Sequence, residues 1–234
     1  MVPDELLGGD SVRGSRVPHY ARDCVVLGLA VGVFGIAFGV LAAESGLSGA
    51  KACVMSLLVF TGASQFAAVS VVGSGGSAVT AVASALLLGA RNGIYGLAMA
   101  GRLRSRGVRR GIAAQLVIDE STAMAVAQGD PADSEGAFWW AGVSVFVAWN
   151  IGTLIGAVAG NAIADPSALG LDAAFPAGFI SLMMPQLRQR STLIAAGLGA
   201  SFAAVAIPLT QPGIPILLAA VAALVALALV RRRP

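Results

Sequence analysis

The sequence predicts an all-α integral membrane protein, a polytopic helical bundle, and three observations carry that expectation. Of the 234 residues, 57% are hydrophobic and only 12% are charged, with a mean hydropathy of +0.83. A soluble domain carries about 25% charged residues and keeps a polar shell around its core. The apolar residues also fall into blocks near the ~20 residues that cross a bilayer as a helix. Finally, the charges cluster in short runs between blocks, and all the basic ones are arginine except Lys51. Such runs account for the net charge of +3, so a membrane partner is expected and a nucleic-acid partner is not.

The elements follow in order. Residues 1–22 read as a polar cytoplasmic tail and residues 23–234 as a single transmembrane domain. The first apolar block outruns a signal-peptide core, so the first helix is expected to be retained. Apolar blocks lie at 24–43, 52–72, 77–100, 111–128, 137–160, 173–187, 191–209 and 213–230. The first carries Gly28, Gly32, Gly35 and Gly39, either a face for close helix packing or a pliable helix beside a substrate.

The second block holds Thr61-Gly62-Ala63-Ser64-Gln65-Phe66. An unpaired glutamine is costly in lipid, so Gln65 must face protein or water. An interhelical hydrogen bond worth about 1 kcal/mol would satisfy it, but the concentration of polar groups favours a substrate site at Thr61, Ser64 and Gln65. The third block contains Arg91-Asn92 within an apolar run. Arg91 can bind a substrate carboxylate, pair with Asp119 or Glu120, or snorkel toward the loop that follows.

The fourth block is interrupted by Asp119-Glu120-Ser121. Adjacent helical residues diverge by about 100°, so one of the two carboxyls is expected on a transport path, where it could carry a proton. A helix N-terminus starting mid-membrane, with Ser121 or Thr122 in its first turn, accounts for the same residues. In the fifth block, Trp149-Asn150-Ile151-Gly152-Thr153 with Gly156 reads mainly as packing. Pro176 and Pro185 bracket a short sixth block and imply an interrupted helix.

Arginine placement constrains the crossings. The loop with Arg102, Arg104, Arg106, Arg109 and Arg110 is expected to be cytoplasmic, together with Arg188, Arg190 and Arg231–Arg233. Both termini then face the cytoplasm, while the loop with Asp130, Asp133 and Glu135 is expected outside. Three blocks separate the tail from the arginine loop, yet an even number of crossings is required. Three more lie between that loop and Arg188, so either each half holds one broken or re-entrant helix or the block boundaries are drawn wrongly. A weak match between Gly46-Leu47 through Ser56-Leu57-Leu58 and Gly170-Leu171 through Ser181-Leu182-Met183 suits two inverted repeats, a common transporter plan.

Cys24 and Cys53 lack metal-type spacing and are read as small packing residues without a disulfide. His19, the one histidine, lies in the tail. No metal site, cofactor or catalytic triad is therefore expected. There is no ATP-binding glycine loop.

These motifs resemble the AzlC (azaleucine-resistance) family, the large subunits of branched-chain amino acid exporters. The resemblance rests on Phe34-Gly35 through Phe38-Gly39, Gly46-Leu47-Ser48, and Met55 through Phe66. It continues in Arg91 ahead of Tyr95-Gly96, in Asp119-Glu120, and in Trp149 ahead of Gly152-Thr153. The Gly-Ala-Ser-Gln-Phe stretch is its specific part. The chain departs from the family pattern at Gly89 and Asn92, where asparagine and histidine are usual, and at Pro176.

The resemblance implies a secondary transporter of the bacterial cytoplasmic membrane, not an enzyme. It would export leucine, isoleucine, valine and methionine with proton coupling, beside a small AzlD-like membrane subunit. Substrate would meet Thr61, Ser64, Gln65, Arg91 and Asn92, and protons Asp119 and Glu120. A channel or scaffold subunit is the alternative, followed by an intramembrane enzyme.

Overall fold

In a computed structural model that describes residues 17–162, 180, 184 and 186–231, every regular element is helical. The elements are α1 (Ala21–Glu44), α2 (Gly49–Leu58), α3 (Ala63–Gly73), α4 (Ala78–Ala100) and α5 (Val108–Gln115). After them come α6 (Asp119–Val126), α7 (Pro131–Ala162), a 3-10 turn at Gln186–Arg188, α8 (Arg190–Ala206) and α9 (Ile214–Arg231). Among the described residues, α1, α4 and α7 are long and apolar enough to cross a bilayer. The all-α membrane class read from the sequence is the observed one.

The spine of the bundle is α1 against α7, and glycine makes it. Gly28 faces Ser144, Gly32 faces Ala148, Gly35 faces Trp149, and Gly39 faces Thr153 and Ala157. Both numbers rise together, so the two helices run parallel. A Cβ on Gly28 would lie 2.8 Å from the Ser144 backbone, and one on Gly32 would lie 2.9 Å from the Ala148 methyl. From the other side, Gly152 and Gly156 press on the α1 backbone at Gly32 and Ile36. In lipid, helices associate through such close van der Waals contact. The glycine face of the first block is therefore a packing face.

Two pairs of short helices do not cross. The 10 residues of α2 and 11 of α3 rise about 15 Å each, half of the ~30 Å hydrocarbon layer. Gly73, ending α3, packs on Ser45, just past α1; a Cβ there would meet the Ser45 hydroxyl at 2.5 Å. This hairpin thus returns to the end of the bundle where it began.

The α5–α6 pair behaves the same way at the other end. Arg109 in its first turn reaches Glu135 in α7 at 3.3 Å and lies over the Trp139 ring at 5.0 Å. Because α1 and α7 are parallel, the two re-entrant hairpins enter from opposite ends. Their tips meet at mid-depth, where the Gln115 amide donates to the Leu57 carbonyl at 2.9 Å and the Leu58 carbonyl at 3.4 Å. Those carbonyls end α2 and have no helical partner of their own.

This arrangement resolves the crossing count. Between the tail and the arginine loop only α1 and α4 cross, an even number. It also corrects one expectation. The acidic loop at 130–135 does not sit opposite the arginine loop but at the same end, because α5–α6 turns back and Glu135 pairs with Arg109. At the far end, Gly213 in the α8–α9 turn packs on Val71 and Thr80 and its carbonyl accepts from Ser84 at 3.4 Å. Some 25 Å of α8 then carries Arg190 toward the basic end.

Cys24 and Cys53 are free thiols. Residues 1–16 of the tail, the Gly170–Met183 half of the proposed repeat, Pro176 with Pro185, and Arg232 with Arg233 lie outside the described residues.

Candidate functional site

Each hairpin tip is shaped by its own sequence. At the first, Gly62 takes φ +60°, a conformation few other residues tolerate. Its N–H donates to the Gln65 side-chain oxygen at 3.2 Å, which closes the start of α3. At the second, the Ser121 hydroxyl donates to the Leu116 carbonyl at 2.6 Å and accepts from the Ile118 N–H at 3.1 Å. Ser121 thereby ties down the break between α5 and α6. Asp119 and Glu120 open α6, where its dipole favours negative charge.

Between the tips lies a cavity of about 550 Å³, within the usual ~300–1,000 Å³ of small-molecule sites. Helices α1 and α7 wall it near their midpoints, through Val31 and Val145, and α4 walls it through Arg91 and Tyr95 in its second half. Phe34, Phe60, Phe66 and Trp149 give it an aromatic lining. The Trp149 ring stacks on Phe38 at 6.1 Å and meets Phe66 edge-on at 6.0 Å, so these walls are rigid.

The polar groups are few, and three of the described ones are charged. Thr61, Arg91, Asn92, Asp119 and Glu120 all line the cavity, which unites five of the seven expected site residues. Arg91 Nη1 lies 2.9 Å from Asp119 Oδ2, and the two side chains are 39% and 38% exposed. Of the three roles open to Arg91, pairing with Asp119 is thus realised, and the pair still faces the cavity.

Ser64 and Gln65 are not among the lining residues; both are buried, Gln65 completely. Gln65 spends its oxygen on the tip backbone instead of presenting it to a ligand. Its neighbour Ser64 packs where a Cβ on Gly89 would approach the hydroxyl at 3.2 Å.

Several buried polar atoms around the cavity lack a hydrogen-bond partner: Arg91 Nε, Asp119 Oδ1, Thr122 Oγ1 and Trp149 Nε1. Leaving such groups unpaired costs free energy, and here they form one shell of donors and acceptors. Tyr95, one turn beyond Arg91, lies beside the Asp119 carboxylate. Sequence reasoning named Tyr95 only within the resemblance and Thr122 only as a helix-opening residue, and it passed over the latch residue Gln115. Helical spacing was the available signal for the first two, at i+4 from Arg91 and i+3 from Asp119.

Comparison with known proteins gives the family and membrane-protein relatives. A family model described as AzlC protein matches residues 26–163, a stretch that contains both hairpins, α4, α7 and α1 from residue 26 onward. An "uncharacterized membrane protein" of Helicobacter pylori strain J99 is 28% identical over 203 residues, covering 86% of this chain and 89% of that protein. A protein of the same description from Archaeoglobus fulgidus is 33% identical over 165 residues, covering 70% of this chain and 72% of its own length. No solved structure matches the chain.

Proposed function

The chain belongs to the AzlC protein family, and on that premise we propose that it exports branched-chain amino acids across the bacterial cytoplasmic membrane. It works as a proton-coupled secondary transporter, the large subunit beside a small AzlD-like membrane protein. The observation that carries this reading is the Arg91–Asp119 pair, open to a largely apolar cavity at mid-depth. Charges placed there are expensive and mark transport paths. Opposite charges a few ångströms apart suit the two ends of a zwitterion, and the aromatic and aliphatic walls suit a leucine-like side chain.

Two further features support it. Discontinuous helices that meet at mid-depth are how many secondary transporters present half-helix ends to substrate. The bundle also has two ends that can open in turn, since each hairpin blocks the cavity from one side. With the arginine loop in the cytoplasm, the tail, the 101–109 loop and the start of α7 face inward. Substrate meets Arg91 through its carboxylate, and the acidic pair handles protons.

Efflux tests the reading. Cells lacking their own exporters, expressing the chain with its small partner and loaded with a leucine-containing dipeptide, should clear leucine faster than controls. A protonophore should abolish that gain. Unchanged clearance, with the complex present in the membrane, would remove the leucine assignment.

A further inference from the structure

The cavity's charges do not balance, and the surplus falls on one residue. Among the described residues, three charged groups line it: Arg91, Asp119 and Glu120. Arg91 and Asp119 neutralise each other at 2.9 Å. Glu120 has no ion pair, and no other side chain donates a hydrogen bond to it among the described residues. The groups facing it are the Arg91–Asp119 pair and the Tyr95 phenol; α1, α7 and the α2–α3 tip contribute no charge to the lining. An isolated carboxylate at mid-membrane must find a cation or take a proton.

Resting on the amino-acid reading above, we propose that Glu120 is a single seat shared in turn by a proton and the substrate's α-ammonium, which makes transport a one-for-one exchange. With substrate bound, the charges alternate in a row: Glu120 carboxylate, substrate ammonium, substrate carboxylate, Arg91 guanidinium, Asp119 carboxylate. Arg91 uses Nη1 on Asp119 and its side chain is still 39% exposed, so it reaches the substrate without surrendering its ion pair. With the cavity empty, Glu120 is neutral only when protonated. No bond of the substrate breaks. On the cytoplasmic side the Glu120 proton leaves to water as the ammonium arrives; on the outer side water returns a proton as the ammonium departs.

Competition at one seat has a kinetic signature. In proteoliposomes holding the full chain with its co-purified subunit, leucine-for-leucine exchange should show a KM that rises as pH falls, with little change in maximal rate. Net leucine flux should move one proton per leucine in the opposite direction. Glu120→Gln should raise the leucine KM at least tenfold and remove its dependence on pH. Glu120→Asp, which keeps a carboxylate, should restore the pH dependence.

A wild-type KM that falls on acidification, or ignores pH while leucine still exchanges, overturns the shared seat and leaves the export reading standing. Retention of the pH dependence in Glu120→Gln overturns it too. Wild-type protein that exchanges no leucine removes both.

Discussion

At the scale of single residues, a polar side chain in lipid is costly unless it is paired or faces a cavity. Arg91, Asn92, Asp119 and Glu120 stand out because each interrupts an apolar block, and all four line one cavity. Cost alone does not say which polar group faces a ligand. Gln65 is as expensive in lipid as Arg91, and its Nε2 is buried without a partner, yet its oxygen is taken up within its own turn by the Gly62 N–H. That local solution is available to any amide three residues beyond a chain break, and spacing in sequence does not separate it from a substrate contact. Gln65→Ala should therefore act on stability. Losing the cap costs about 1 kcal/mol, or roughly 2–4 °C for a chain of this size. The leucine KM should stay within twofold. Thermal unfolding in detergent alongside transport checks this, and a tenfold rise in KM at unchanged stability would return Gln65 to the binding site.

At the scale of elements, counting arginine-bounded blocks pointed to one non-crossing element in each half, and both are present as α2–α3 and α5–α6. The break in each is written locally, in Gly62 at one tip and in the helix-opening Asp119-Glu120-Ser121 at the other. The acidic loop at 130–135 was misplaced because acidic residues say little about sidedness, while the contact that locates it, Arg109 to Glu135, spans 26 positions. The glycines of α1 were ambiguous until their partners on α7 were known.

Their role now separates them from glycines elsewhere. Gly39→Ala would push a methyl into the α7 backbone at Thr153 and Ala157, an overpacking cost of about 1–3 kcal/mol. Gly96→Ala on α4 meets nothing within 4 Å and should be neutral or slightly stabilising. Unfolding midpoints of the two variants in one detergent should differ in that order, and equal midpoints would deny the tight α1–α7 seam.

At the scale of the whole molecule, the arrangement of ends makes a prediction opposite to the one drawn from the lack of basic residues at 130–135. Arg106→Cys and Asp133→Cys should react with a membrane-impermeant thiol reagent from the same side, the cytoplasm. Ser74→Cys should react from the other. Labelling of position 133 together with position 74 would mean that α5–α6 crosses the membrane after all. The opposed hairpins also define the functional architecture, since the cavity lies where their tips meet and the Gln115 amide joins them.

The central claim is that this cavity holds the substrate, and thiol protection tests it most directly. Thr122 lines the cavity with an unpartnered hydroxyl, so Thr122→Cys in a chain with Cys24 and Cys53 replaced places one reporter thiol there. Its modification by a small thiol reagent should slow several-fold in the presence of leucine, and not in the presence of an amine or a carboxylate lacking the other group. An unchanged rate at leucine concentrations that saturate transport would place the substrate elsewhere in the bundle.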